Sequence, residues 1–506
     1  MIFKNFNSHK MKKYINIFLL TVFMGYLSGC DDLEYFPIDQ LSDQQVSESP
    51  ELLSNITIGT YSRLREMRYV RNRQAAQEFP GDDAVWVKNS GDNRMLTYSY
   101  QHIVNSSVST QFWQEAYYGI FSANKVIEAI DDNADEENLQ LKGENIFLRA
   151  FMHFDLVRMF GRPYSQNPET NLGVMIRDNT DVSALPPRST VKETYAFIEN
   201  DLLKAADLMS ISKPSIFASK EVAWGMLARL YLYMEQNEKA IEYADKVINS
   251  GKYSLLETSQ FGSYFTLLPE NNPETIFAIK LLETENMGKG SIGSLYHGQG
   301  GWGEMFASKT YRDLIYQNPN DERVKFIDPD YIYDEEGNKI PDPTEDVGFL
   351  LQKRDGLSQY FINKYTMEGG VQMLSSPIVM RLAEMYLIKA EAYAKTSGKE
   401  TEAIEMVNII RERAGLSGEQ LFDTNDLKGY ETVLDVVLDE RRLELAWEGH
   451  RAMDVFRNNR PLDRSSVQPF GWSGPLLVQP TSNSIAHLIP ETEMALNPNL
   501  IQNPTE

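Results

Sequence analysis

Apolar residues recur every three or four positions through much of this chain, the period of a helix with one buried face. Leu53, Ile56, Thr60, Leu64 and Met67 mark a first helix. Trp113, Ala116, Ile120, Ala123, Ile127 and Ile130 mark a second. Ile146 to Phe160 carry a third, which Gly161 and Pro163 stop. Thr190 and Glu193 form a T-x-x-E capping box, opening a helix that runs to Met209. Two more helices are predicted over 219–235 and 238–249.

The pattern returns at Ser376, a good N-cap, followed by Pro377 at the first helical position. Leu382, Met385, Tyr386, Ala390 and Tyr393 then recur at helical spacing, and Gly398 marks a stop. Ala403, Val407 and Ile410 carry a second helix, which Gly415 ends. This helical hairpin echoes an earlier one. Ala228, Tyr231, Ala240, Ala244 and Val247 space almost like Ala390, Tyr393, Ala403, Val407 and Ile410. Such pairs cannot bury their apolar faces alone and stack side by side, so the scaffold resembles a tetratricopeptide-type solenoid.

From Leu434 to Arg457 a third helix-compatible run is dense in charge. Arg451, Asp454 and Arg457 stand three apart, which makes opposite charges neighbours on one face. Leu434, Leu438, Arg441 and Leu445 share a stripe, so Arg441 lies on an otherwise apolar face and needs a partner. Glu440, Glu444 and Glu448 have the spacing of an acid–base set. The arginines interleaved with them favour ionised carboxylates in a structural salt-bridge lattice.

Other stretches break the helical period. Residues 274–281 (ETIFAIKL) partly alternate and predict a short strand. Within 70–110, EFPGDDAVWVKNSGDNRMLTYSY combines Gly-Asp turns with exposed-looking aromatics. Residues 287–303 (MGKGSIGSLYHGQGGWG) hold seven glycines and predict a loop with no packed element. Their G-x-G spacing lacks the strand–turn–helix frame of a dinucleotide site. Residues 317–347 form an acidic, Pro-rich excursion without strict EF-hand spacing, read as a solvated loop, with calcium binding as the alternative.

Composition narrows the class. The chain has 506 residues, 42% hydrophobic, and a formal net charge of −23. That is enough apolar content for a large core. The acidity argues against nucleic acid, whose phosphates demand basic patches. The single cysteine rules out an internal disulfide.

That cysteine ends the first segment. Lys10, Lys12 and Lys13 precede the apolar run Ile15–Met24, the n-region and h-region of a signal peptide. Met11 is an equally good start, since residues 1–10 add nothing a signal needs. Leu27-Ser28-Gly29-Cys30 resembles the bacterial lipobox, in which the cysteine becomes the lipidated N-terminus. Residues 31–50, acidic and with two prolines, read as a tether. Asp31, Asp32 and Glu34 loosely resemble a surface-export signal.

Several blocks resemble the SusD/RagB family of outer-membrane nutrient-binding lipoproteins: FLRAFMHFDLVRMFGRPY (147–164), RLAEMYLIKAEAYA (381–394), IRERAGL (410–416), LDERRLELAWEGHRAMDVFR (438–457) and IPETEMALNPNLIQNP (489–504). The resemblance implies a mainly α fold, with a SusD-like tetratricopeptide-type helical scaffold, long loops and a few short strands. It organises the chain as signal peptide 1–29, lipidated cysteine and tether 30–50, an N-terminal helical domain 51–256, and a C-terminal domain 257–506 with a loop-rich aromatic insert over about 257–375. His153, among Phe151, Met152 and Phe154, reads as a satisfied core residue and not a ligand.

The resemblance further implies a non-catalytic, lipid-anchored protein of the outer membrane, facing the cell surface. It would capture oligosaccharide and deliver it to a SusC-like TonB-dependent transporter. Sugar capture needs flat apolar faces for the C–H side of the ring and planar groups for its hydroxyls. Trp86, Asn89, Tyr98 and Tyr100 supply one such cluster, Tyr296 and Trp302 another, and Trp472 a third. Trp113, Trp224 and Trp447 lie on helical faces and are expected in the core. A peptide ligand is the alternative within the family, since acidic loops attract basic peptides. A glycoside hydrolase with paired carboxylates and a structural surface subunit are the readings from other classes. No G-x-S-x-G, HExxH or Cys/His frame is present, and no metal or cofactor is expected.

Overall fold

Small residues at the helix contacts set the frame. Ala228, Ala240, Ala244, Ala390 and Ala403 are all fully buried, so neighbouring helix backbones approach closely. The computed structural model describes residues 50–87, 92–298, 300–468 and 474–505. Cys30, the signal peptide, the tether, Asn89 and Trp472 lie outside the described residues.

The chain enters through α1 (Pro50–Arg65) and α2 (Met67–Glu78), followed by the short strand β1 (Ala84–Trp86). Then come α3 (Ser107–Ala129), α4 (Glu136–Phe160), α5 (Val191–Leu208), α6 (Lys220–Tyr233) and α7 (Asn237–Ile248). The expected capping box opens α5: Glu193 N donates to Thr190 Oγ1 at 3.1 Å, and Thr190 N donates to Glu193 Oε2 at 2.8 Å. Each helix from α3 to α7 packs on the next.

The insert then carries β2 (Thr275–Ala278) and β3 (Met305–Ala307), with short helical turns between and after them. It ends in β4 (Ile378–Arg381), which pairs antiparallel with β2. Helices α8 (Leu382–Ala394), α9 (Glu400–Arg413), α10 (Val433–Leu445) and α11 (Arg451–Arg457) follow. The hairpins α6–α7 and α8–α9 stack through α7 and α8, and α10 packs on both α8 and α9. This stack runs straight across the expected division at 256/257. The fold is mainly α, on a tetratricopeptide-type scaffold with few short strands.

Four expectations need correction. Helix α8 begins at Leu382 and not at Pro377, because Ile378–Arg381 extend to pair with β2, and Ser376 Oγ accepts from Leu281 N at 2.9 Å. The run from Leu434 to Arg457 is two helices. Trp447 (φ 65°) and Gly449 (φ 81°) break it, and the break turns the Trp447 ring into the core. Helix α2 stands where the sequence reads as irregular. Its buried face mixes Tyr69, Val70 and Ala75 with Asn72, Arg73, Gln74 and Gln77, so no clean apolar period announces it. Finally, the glycine-rich loop 287–303 is packed: it coils through short 3-10 turns and buries Ile292, Leu295 and Tyr296.

His153 is a core residue, as expected. Its Nδ1 lies 2.8 Å from Arg149 O, and Arg177 N donates to its Nε2 at 3.2 Å. Trp113 and Trp447 are buried and Trp224 is partly buried.

Candidate functional site

Strand β1 pairs antiparallel with β3, with Trp86 opposite Met305. Val87 N donates to Glu304 O at 2.9 Å, which continues the pairing one step further. The glycine-rich loop therefore ends against the same strand that carries Trp86. Gly301 shows why glycine is needed there: a Cβ would come within 2.5 Å of the carbonyl oxygens of both His297 and Ser294.

The predicted aromatics fall into two groups, a buried layer and one exposed ring. Trp86, Tyr98 and Tyr296 are fully buried. Phe79 joins them, with ring centroids 5.6 Å from Trp86 and 6.5 Å from Tyr296, and Tyr98 lies 6.1 Å from Trp86. Trp86 Nε1 donates to Glu304 Oε2 at 3.1 Å. No ring face in this layer is open to a ligand, contrary to the expectation for these three residues. Their Gly/Asp-rich flanks mark turns, but the rings between those turns point inward. Tyr100 is also buried, its hydroxyl donating to Pro80 O at 2.9 Å.

Trp302 is different. It is 49% exposed and held in place. Its backbone N donates to Ser294 O at 2.6 Å, and its Nε1 donates to Lys289 O at 3.1 Å. Lys289 Nζ stands 4.8 Å from the ring centroid. Arg354 Nη1 donates to the carbonyls of Trp302 and Gly303, at 2.9 and 2.8 Å. An indole fixed at its edge and its backbone is a preorganised apolar plate, with the Lys289 ammonium over the ring and Arg354 holding its backbone. Sequence reasoning missed Lys289 and Arg354. Lys289 sits in a G-K-G step inside the loop, whereas Arg354 is remote in sequence and carried no signal.

The carboxylates of the C-terminal run do other work. Glu440, Glu444 and Glu448 are all buried. Arg323 reaches Glu440 at 2.6 Å and Glu444 at 3.3 Å, and Arg411 reaches Glu440 at 2.8 Å. Arg381 and Arg413 both pair with Glu444, and both also reach Glu274, at 3.2 and 2.9 Å. Lys364 pairs with Glu448 at 2.7 Å. Arg441 finds the partners its apolar stripe demanded, Asp454 at 3.1 Å and Glu391 at 3.4 Å. Burial alone would push Glu444 and Glu448 up, but the surrounding cations outweigh it and hold both below the usual carboxylate range. Such groups are poor proton donors at neutral pH, and this set is a structural lattice joining β4, α9, α10 and the insert. Among the described residues, no cluster of His, Cys, Asp or Glu is arranged to hold a metal ion. Nor is any described helix long and apolar enough to cross a membrane.

Two family models match the chain. Residues 34–232 match the model described as "Starch-binding associating with outer membrane", and residues 355–505 match "SusD family". The chain is 27% identical over 499 residues to the SusD-like protein P38 of Formosa agariphila, covering 90% of this chain and 93% of that one. It is 25% identical over 460 residues to the starch-binding protein SusD of Bacteroides thetaiotaomicron, covering 78% and 77%. Its fold superposes on a SusD superfamily protein of Bacteroides vulgatus with a TM-score of 0.76 at 26% identity, over 89% of this chain and 98% of the other. With the helical stack, the matched segments at both ends and relatives aligned over most of their length, the chain belongs to the SusD/RagB family.

Proposed function

We propose that this protein is a non-catalytic, lipid-anchored protein of the outer cell surface that captures oligosaccharide and delivers it to a SusC-like TonB-dependent transporter. The half-exposed, edge-fixed ring of Trp302 carries this reading. It offers the flat apolar surface that a pyranose ring stacks on, beside the Lys289 ammonium that lies over the ring. The printed names of relatives, a starch-binding protein among them, point to the same ligand class and to the outer membrane. The commitment of Glu440, Glu444 and Glu448 to ion pairs speaks against those carboxylates as a hydrolytic set.

The signal peptide 1–29, lipidation at Cys30 and the tether 30–50 belong to this reading. So does the division of the folded part into 51–256 and 257–506. Asn89 and Trp472 remain candidate ligand contacts beside Trp302.

The test is a binding screen of purified protein against neutral oligosaccharides and basic peptides, followed by product analysis. Saturable glycan binding without cleavage supports the proposal. Binding of peptides alone would move the protein to the peptide-binding branch. Cleavage that is lost in a carboxylate variant would overturn the non-catalytic assignment. Tagged protein extracted from its native membrane in mild detergent should bring one TonB-dependent transporter with it.

A further inference from the structure

Away from Trp302, the C-terminal ends of α4, α6, α8 and α11 converge with the segments 481–486 and 501–504 around a cleft of about 1250 Å³. Not one aromatic side chain lines it. Its charged side chains are held by protein partners. Lys395 pairs with Glu391 at 3.1 Å and lies 3.8 Å from Glu235. Arg457 pairs with Glu391 at 2.5 Å and Asp454 at 2.7 Å. Arg162 donates to Gln166 Oε1 and to the carbonyls of Ser482 and Pro480, at 3.2, 3.0 and 2.8 Å.

What remains for a ligand is neutral and amide-rich. Asn237 Oδ1 is buried without a hydrogen-bond partner. Asn167 and Asn459 stand on the lining with left-handed backbones, φ 51° and 54°, and their side chains bond to no described residue. A free carboxamide offers two donors and an acceptor, the same mixture that vicinal hydroxyls present. Every cation of the lining already donates to a protein acceptor, Arg162 to neutral ones only. A neutral chain of hydroxyls matches both the size and the chemistry.

We infer that this cleft is a second glycan site, which holds several residues of a neutral oligosaccharide by hydrogen bonds alone. Its ligand class rests on the carbohydrate reading above. Lacking an aromatic plate, it binds more weakly than a stacking site and serves to retain the length of a chain rather than to select one ring.

The site can be tested apart from Trp302. Asn167→Gly and Asn459→Gly remove the amides and keep the left-handed backbone. In the Trp302→Ala protein, neutral linear hexasaccharides of glucose, xylose, mannose and galactose should be titrated, with an uncharged Ala/Ser peptide of equal length beside them. At least one hexasaccharide is expected to slow hydrogen exchange over 165–171, 234–238 and 457–460. The double glycine variant should weaken that binding about tenfold, with its melting temperature unchanged. Three results overturn the inference: no protection by any hexasaccharide, protection by the peptide alone, or unchanged affinity in the glycine variant, as a pure helix-capping role requires. If wild-type protein binds sugar only through Trp302, the cleft fails and the capture reading stands. If the cleft segments respond while Trp302→Ala changes nothing, the reverse holds.

Discussion

Arg381 grips Glu448 with two parallel hydrogen bonds, Nε to Oε2 and Nη2 to Oε1, each 2.9 Å long. The pair ties the last residue of β4 to the turn between α10 and α11, and both side chains are buried. Truncating Arg381 would leave Glu448, Glu444 and Glu274 with fewer cations in a dry interior. Arg381→Ala should therefore cost about 3–5 kcal/mol. Denaturant unfolding should show a lower midpoint at unchanged slope. A loss under about 1 kcal/mol, the worth of an exposed pair, would mean that the lattice does not hold the helices together.

Trp86 of β1 and Trp302 of the glycine-rich loop should separate cleanly. Trp302→Ala should weaken oligosaccharide binding by about 1–3 kcal/mol, by analogy with bases stacked on aromatic side chains, and barely move the melting temperature. Trp86→Ala should do the opposite, costing about 3–5 kcal/mol of stability by opening a core cavity. Calorimetric titration and thermal unfolding of both variants check this. Equal binding losses at equal stability would show that the two rings were assigned wrongly.

Burial pushes the His153 imidazole down to about 3. The folded state therefore binds fewer protons than the unfolded chain, whose histidine titrates near 6.5. Stability should fall as pH drops from about 6.5 towards 3, with His153 contributing about 1.4 kcal/mol per pH unit within that window. Above pH 7 this contribution is constant. His153→Gln should flatten the slope measured between pH 6 and 5 by about that amount, and an unaltered slope would contradict the burial argument.

Cys30→Ala should release the protein from membranes into the soluble fraction. Lipidation at this position would supply several buried acyl chains, enough for stable anchoring. Fractionation of cells lacking the transporter is the decisive measurement. A variant that still sediments with outer membranes as tightly as wild type would exclude the anchor.

Much of the scaffold was legible because helices with one apolar face write their period into the sequence. The echo between Ala228–Val247 and Ala390–Ile410 foretold two hairpins that stack, and Arg441 on a leucine stripe foretold its buried acids. Helix α2 was illegible for the converse reason. Its inner face spends Arg73 and Gln77 on Asp155, at 2.7 and 2.9 Å, so polar residues interrupt the apolar period there. The break at Trp447 depends on a left-handed backbone that a run of good helix formers does not advertise. For the aromatics, local composition could not tell Trp86 from Trp302. Both sit among turn residues, and contacts between residues far apart in the chain, such as the pairing of Trp86 with Met305, bury one of the two rings.

Ala278 and Ile378 are Cα partners across the β2–β4 pair. Everything between them leaves the helical stack and returns to it at one place. Such a segment can lengthen, shrink or be exchanged between relatives while the stacked hairpins stay where they are, so ligand choice can diversify faster than the scaffold. The exchange carries conditions: the segment supplies β3, which pairs with β1, and Tyr296, which packs on Phe79. Residues 279–377 also deliver Arg323 and Lys364 to the buried acids of α10 and the turn after it. A transplanted segment must bring its own cations to those two positions. Chimaeras that keep these contacts should fold, and those that exchange the whole segment and lose the two buried cations should not.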